Sequence, residues 1–230
     1  MTDPPNPPPV SPIRPLLAID SSTEQAGIGL FDGDRTAELS WAAGRTQTVT
    51  LLGQIHHLLT LHGLSASDLG AIAVATGPGA FNGLRVGMGV AKGLVLGLSV
   101  PILGVPTLAA AALPHADTGR PVVPVVAAGR GRIVWAEYRY GPDGWGPVAP
   151  PRNGTAEELA AHLLITQTPI VTGELTSAQE VIVAAVPGIV LAPRPLRTRR
   201  PSALAALAWD RFQAGESDDP TTLEPLYLGR

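Results

Sequence analysis

The acid at Asp20 is the first place in this chain where chemistry could begin. It closes the apolar run LLAID (Leu16 to Asp20) and is followed at once by Ser21, Ser22 and Thr23. A carboxylate at a strand end beside hydroxyls has the makings of a site that holds water on magnesium and cradles a phosphate. The plainer reading is that Asp20 and the serines cap backbone donors of their own turn, as these residue types commonly do. A nucleotide site built across two lobes would also want an acid in the matching turn of the second half. That turn reads AAGRGR, Ala127 to Arg132, and contains none.

A second candidate is the glycine-rich stretch ATGPGAFNGLRVGMGVAKGL, Ala75 to Leu94. A phosphate-binding Walker loop needs Gly-Lys-Ser/Thr after its spacer, whereas Gly83 here is followed by Leu84 and Arg85, so that chemistry fails. Asn82 fits an N-cap, with Phe81 and Val86 as its hydrophobic staple. At about 100° per residue, Gly83, Gly87, Gly89, Ala91, Gly93 and Gly97 form a broad small-residue arc with Arg85 and Lys92 opposite. Each interior glycine costs about 1 kcal/mol relative to alanine. Close packing on the chain's own sheet would offset that loss, and so would close approach by the backbone of another chain.

The remaining polar residues assemble no catalytic constellation. The histidines are His56, His57, His62, His115 and His162, and no two have the i, i+4 spacing of a helical metal pair. There is no Gly-x-Ser-x-Gly elbow. Glu157 and Glu158 read as a helix start, and Asp218 and Asp219 as a solvated loop. The absence of cysteine excludes disulfides, thiolate metal sites and a cysteine nucleophile, and suits a reducing cytoplasm.

These residues need a scaffold, and the sequence pattern describes one. After LLAID, the stretch AGIGLFDGDRTAEL gives two strand-like runs around an Asp32-Gly33 turn. Thr46 to His62 has helical spacing through Val49, Leu52, Ile55 and Leu59, with Gly63 placed as a C-terminal glycine. A buried strand at Ala71 to Thr76 feeds the glycine loop. A helix follows from about Asn82 to Leu98, then a strand near Ile102 to Val105 and a helix from Thr107. The run from Pro121 to Gly144 resembles the strand and hairpin opening of the first half. Helices are predicted at Thr155 to Leu164, Ser177 to Val186 and Ser202 to Ala214, with a strand at Ile170 to Thr172. Strands alternating with helices indicate an α/β class with mixed sheets.

With 230 residues, 45% of them hydrophobic and 15% charged, the chain is long enough to bury a core as one large domain or two small lobes. A net charge of −3 gives no footprint for nucleic acid, and the compact basic cluster is Arg194, Arg197, Arg199 and Arg200. The proline-rich start has no apolar core of a signal peptide and reads as a polyproline II tail. The apolar run Val86 to Val100, broken by Lys92, is too short and too charged to span a membrane.

LLAIDSSTEQAGIGLF, ATGPGAFNGLRVGMGVAKGL, PILGVPTLAAAA, VWAEY and the closing LEPLYL together resemble the bacterial TsaB (YeaZ) family of tRNA threonylcarbamoyladenosine biosynthesis proteins. The likeness is dense from Leu16 to Ala112 and sparse beyond, and the Gly-Pro-Gly-x-Phe-x-Gly-x-Arg pattern at Gly77 to Arg85 is its most specific part. It implies an actin-like and Hsp70-like ATPase (ASKHA) fold, α/β, of two RNase H-like lobes with mixed sheets. The expected division is a tail over 1–15, an N-terminal lobe over 16–112 and a C-terminal lobe over 113–230. The resemblance further implies a noncatalytic subunit that binds and stabilises TsaD, the subunit that transfers a threonylcarbamoyl group to the adenosine beside the anticodon. TsaE would join the larger complex, tRNA would be met only through it, and two copies would pair when TsaD is absent. The implied partner face lies on the two helices that carry Thr48, Leu52, Ile55, Phe81, Asn82, Arg85, Val86, Gly87, Gly89, Val90 and Gly93. Asp20, Ser22 and Thr23 would be a vestigial nucleotide site. No catalytic residue, metal or resident cofactor is implied, and weak binding of ATP or ADP with magnesium at the complex interface stays open.

The chain also departs from the family pattern. Gln47, preceded by Arg45 and Thr46, stands where many relatives have a histidine, Ala128-Gly129-Arg130 replaces a common Asp-Ala-Arg, and Ala80 and Asn82 flank the loop phenylalanine. The rival readings are a small-molecule kinase or ATPase of the same fold using Asp20, and a metallopeptidase, which the lack of paired histidines disfavours.

Overall fold

The computed structural model describes residues 14–44, 47–142 and 144–227. The proline-rich tail before Arg14, and Arg45 and Thr46, lie outside the described residues, as does the side chain of Gln47.

Two mixed sheets organise the chain. The first has the order β3-β2-β1-β4-β5. Strands β1 (Leu16–Asp20), β2 (Gln25–Phe31) and β3 (Thr36–Ala42) form an antiparallel meander. Its second turn is the predicted one: Asp32 Oδ1 accepts the backbone N–H groups of Asp34 and Arg35, and Gly33 takes the φ of +95° that few other residues adopt. After helix α1 (Gln47–Leu61), strand β4 (Ala71–Gly77) pairs parallel to β1. Helix α2 (Phe81–Leu98) then leads to β5 (Ile102–Pro106), parallel to β4. The short helix α3 (Thr107–Ala112) follows.

The second sheet repeats the plan in the order β10-β7-β6-β11-β12. It comprises β6 (Val122–Ala127), β7 (Ile133–Trp135), the side hairpin β8 (Tyr138–Gly141) and β9 (Gly144–Pro147), and β10 (Arg152–Gly154). Helix α4 (Ala156–Leu163), β11 (Ile170–Gly173), α5 (Ser177–Ala184) and the two-residue β12 (Val190–Leu191) complete it. Helix α6 (Pro201–Gln213) comes last.

The alternation of side chains along β1 decides how the layers stack. Leu17 and Ile19 face one way, into a core with Leu51, Ile55, Leu58 and Leu59 of α1 and Met88, Ala91 and Val95 of α2. Leu16 and Ala18 face the other way, against Ala110 of α3 and Leu204, Ala205 and Ala208 of α6. Helix α3 also lends Leu108 and Ala112 to a core with Val122, Val126 and Val134 of the second sheet. Helices α4 and α5 cover that sheet's far face through Leu159, Leu163 and Val183. Thus α3 and α6 cover one face of the first sheet and α1 and α2 the other, and α3 also reaches the second sheet.

Two expectations are corrected here. Residues 113–230 do not hold together as one unit, because α6 returns to pack on β1, β2 and β5 of the first sheet. Asn82 is not the N-cap of α2: that position falls two residues earlier, on Ala80, whose N–H donates to Ser22 O at 2.6 Å and whose carbonyl accepts from Leu84 N at 3.0 Å, and the helix starts at Phe81. Among the described residues no helix is long and apolar enough to cross a membrane.

Candidate functional site

Asp20 ends the central strand β1, and the residue is only 4% exposed. Oδ1 accepts from Ser22 N at 2.9 Å and Ser22 Oγ at 2.6 Å, which is the local capping reading of the sequence. Oδ2 accepts from Arg199 Nε at 2.8 Å. The same guanidinium donates through Nη2 to Thr23 Oγ1 at 2.9 Å and to Gln25 O at 2.8 Å, and through Nη1 to Glu174. Arg199 precedes α6, whereas Glu174 follows β11 of the second sheet, so one buried cation ties the first turn of one sheet to a strand end of the other. Burial works against its charge, but the Asp20 and Glu174 carboxylates outweigh that and hold its pKa above the usual arginine value.

The acid that the turn Ala127 to Arg132 lacks is therefore supplied from elsewhere: Glu174 Oε2 accepts from Ala127 N at 3.2 Å. Gly173 makes this possible. Its φ is +98°, and a Cβ there would strike the backbone of Val125, so only glycine lets β11 turn this close to β6. Sequence reasoning missed Glu174 and Arg199 as functional partners. The available signal was a Gly-Glu pair at the end of a predicted strand, the counterpart of Asp20 ending β1.

The basic cluster of the sequence is engaged in internal pairs. Arg194 and Arg197 both meet Glu180, at 3.0 and 2.9 Å, and Arg200 meets Glu38 at 2.9 Å. The histidines are dispersed: His56 and His57 are exposed on α1 and His62 follows it, while His115 pairs with Thr172 and His162 approaches Glu137. Among the described residues no cluster of three metal-ligating side chains occurs.

The second place of interest is the outer surface of α1 and α2. The glycine arc divides. Gly83 and Gly87 are buried: Ser21 Oγ donates to Gly83 O at 2.8 Å, and a Cβ at Gly87 would collide with that same hydroxyl and stand 3.7 Å from Ile19 Cγ2. Gly87 thus faces the chain's own β1 and is removed from the open face, and buried Ile55 of α1 is removed with it. Gly89, Gly93 and Gly97 have none of the described residues within 4 Å of a Cβ position, and neither has Gly53 on α1. Arg85 shares the exposed side with Gly89 and Gly93, which corrects the placement of Arg85 opposite the small residues.

Large apolar side chains stand exposed on these same helices: Val49 is 80% exposed, Leu96 76%, Leu52 56% and Phe81 50%. The Arg85 guanidinium lies 4.0 Å from the Phe81 ring centroid, a cation–π contact at i, i+4 spacing. Thr48, Asn82, Arg85 and Val86 line one groove, with a cavity volume of about 600 Å³, where the starts of α1 and α2 converge. Of the predicted partner-face residues, Thr48, Leu52, Phe81, Asn82, Arg85, Gly89 and Gly93 are exposed, and Val86 and Val90 are half-buried. Such a surface, apolar with aromatic and arginine side chains and with backbone laid bare at glycines, suits close helix packing by another protein.

Comparison with known proteins gives the family and the fold. The family model described as "TsaD: tRNA N6-adenosine threonylcarbamoyltransferase" matches residues 42–161. The tRNA threonylcarbamoyladenosine biosynthesis protein TsaB of Escherichia coli is 36% identical over 132 residues, 56% of this chain and 57% of that protein. The TsaB protein of Bacillus subtilis is 29% identical over 217 residues, 93% of each chain. The chain thus spans a little over half the length of the E. coli relative and nearly all of the B. subtilis one. Among solved structures, YeaZ from Pseudomonas aeruginosa superposes with a TM-score of 0.76 at 26% identity, covering 93% of this chain and 99% of that one. A Bacteroides thetaiotaomicron protein with an actin-like ATPase fold superposes with a TM-score of 0.50 at 9% identity, covering 84% of this chain and 96% of that one, a likeness of fold alone.

Proposed function

We propose, on the premise that this chain belongs to the TsaB (YeaZ) family of tRNA threonylcarbamoyladenosine biosynthesis proteins, that it is a noncatalytic subunit which binds and stabilises a TsaD threonylcarbamoyltransferase. The observation that carries this reading is the α1–α2 surface, where exposed Val49, Leu52, Phe81 and Leu96 stand beside glycines that none of the described residues covers. Helices from a partner would pack on it, with Gly53, Gly89 and Gly93 allowing their backbones to approach closely. In the absence of TsaD the same face would pair two copies of this chain. TsaE would join the larger assembly, and tRNA would be held through the complex in the cytoplasm.

The alternative of phosphoryl transfer at Asp20 asks for a carboxylate free to face water on magnesium. Asp20 instead accepts three hydrogen bonds from within the chain, one of them from a buried arginine. A carboxylate has about four acceptor positions in all, so Asp20 keeps little capacity for a hydrated cation. The arrangement supports a structural use of the old cleft.

The reading is tested by mixing this protein with the TsaD of the same organism and measuring size exclusion with light scattering. A stable one-to-one complex is the expected result. Separate elution under every nucleotide and magnesium condition would overturn it, and ATP turnover abolished by Asp20→Ala would favour the kinase alternative.

A further inference from the structure

The residues that follow α6 form a strap along one flank of α2. It is anchored at Asp218, whose N–H donates to Ile102 O at 2.8 Å and whose carboxylate accepts from Gly104 N at 2.6 Å and Arg211 Nη2 at 3.0 Å. Asp219 comes next. Its carboxylate is held below the usual range mainly by the hydroxyl and N–H of Thr221, with a smaller contribution from the charge of Lys92 on α2. Leu223 packs into the core beneath α1 and α2. Leu226 N then donates to Thr76 O at 2.6 Å at the end of β4, and the Tyr227 ring reaches Phe81 at the start of α2, 5.0 Å between centroids.

Phe81 and Lys92 are eleven residues apart, which places them within about 20° of each other around the helix. The strap therefore borders α2 on one side, with Tyr227 against Phe81 at one end and the Asp219 charge acting on the Lys92 side at the other. From that side the exposed residues Arg85, Gly89, Asn82 and Gly93 succeed one another around the helix, until Val86 meets Thr48 of α1 across their common groove. The open face of α2 is bordered by α1 on one side and by the strap on the other. The strap also presents two half-exposed side chains, Leu226 and Tyr227, at that border. Phe81, stacked by Tyr227 and covered by the Arg85 guanidinium, is fixed in place before any partner arrives, which lowers the ordering cost of binding. Tyrosine and arginine are the side chains most often found to dominate binding energy at protein interfaces.

We propose that the strap is a working part of the partner-binding face: Leu226 and Tyr227 touch the partner and hold Phe81 and Arg85 in the conformation that it meets. This rests on the reading that the partner is a TsaD-type protein. The strap then does two things at once, closing the edge of the first sheet through Asp218 and Leu223 and finishing the docking surface with its last described residues.

The test measures the dissociation constant of the full chain for TsaD by calorimetry, at a temperature well below the melting point of every variant. The variants are Tyr227→Ala, Tyr227→Phe, Leu226→Asp and, as a marker of the helix face, Leu52→Glu. Tyr227→Ala and Leu226→Asp are each expected to weaken binding about tenfold or more, and Tyr227→Phe, which keeps the stack, to bind as the unmodified chain does. Normal or tighter binding by both strap variants, with Leu52→Glu losing it, would overturn the strap proposal and leave the partner reading standing. An unmodified chain that does not bind TsaD would overturn both.

Discussion

Arg199→Met removes the cation that joins the two sheets while keeping much of the side chain's bulk. Four acceptors lose a donor: Asp20 Oδ2, Glu174 Oε1, Thr23 Oγ1 and Gln25 O. Their fates differ. The Glu174 side chain is 26% exposed and recovers water, whereas that of Asp20 is 5% exposed and retains only the N–H and hydroxyl of Ser22. Stranding one partner of a buried ion pair costs about 3–5 kcal/mol. For a chain of this length each kcal/mol moves the melting temperature by about 2–4 °C, so Arg199→Met should melt about 6–20 °C lower. Adding Asp20→Asn takes away the stranded charge, and the double variant should be more stable than the sum of the single losses implies, by about 1–3 kcal/mol. Urea and thermal unfolding of the two single variants and the double variant at neutral pH complete the cycle. Arg199→Met within about 1 kcal/mol of the parent, or strictly additive losses, would refute the clamp, because an exposed or water-mediated pair behaves in that way.

The divided glycine arc predicts opposite outcomes for neighbouring substitutions. Gly87→Leu meets Ser21 and Ile19 and should lower stability by about 1–3 kcal/mol, seen as a lower urea midpoint before any partner is added. Gly93→Leu meets none of the described residues; its helix should gain up to about 1 kcal/mol in propensity, while TsaD binding, followed by calorimetry, weakens about 5- to 150-fold for a clash of about 1–3 kcal/mol. Asp218 gives a pH prediction. Partial burial raises its pKa, but the Arg211 guanidinium and the Gly104 N–H lower it by more, so the folded value lies below the unfolded one. Its contribution is full above the unfolded carboxylate pKa of about 3.9 and is lost as pH falls through the folded value. Asp218→Asn should therefore flatten the stability profile below about pH 4, as read by urea unfolding at a series of acid pH values.

The strands and helices were legible because their signals are local. Leu16 to Asp20 alternates between two cores, and Val49, Leu52, Ile55 and Leu59 keep helical spacing, although Val49 and Leu52 turn outward. The start of α2 was misread because its cause is not local. Asn82 is a good capping residue, yet the backbone bond from Ala80 N to Ser22 O, reaching back to the turn after β1, fixes the cap two residues earlier, at Ala80. That shift brings Phe81 into the helix and so places it one turn before Arg85, where the guanidinium covers its ring. The clamp was invisible for the same reason on a larger scale. Arg199 and Asp20 are 179 positions apart, and Arg199 looked like one member of a surface cluster until the return of α6 to the first sheet brought it beneath Asp20.

The glycines of α2 carry the argument furthest when each is asked what removed its side chain. For Gly83 and Gly87 the answer lies within the chain, since Ser21 bonds to the carbonyl of one and occupies the space beside the other. For Gly89, Gly93 and Gly97 the described residues give no answer, since a Cβ at each would meet none of them. The helix forgoes about 1 kcal/mol at every such position relative to alanine, roughly 3 kcal/mol for these, and nothing among the described residues offsets that loss. Gly53 adds the same unexplained cost on α1, beside Val49 and Leu52, which are themselves left exposed. Glycine recurs where, among the described residues, the two outer helices are open and the apolar side chains around it are uncovered, so close contact with a second molecule would supply the compensation that the described residues do not. A phosphate ligand would not account for it, because these positions lie along the body of a helix, where backbone N–H groups are already bonded and none faces outward. What fits is another backbone, packed closely against α1 and α2.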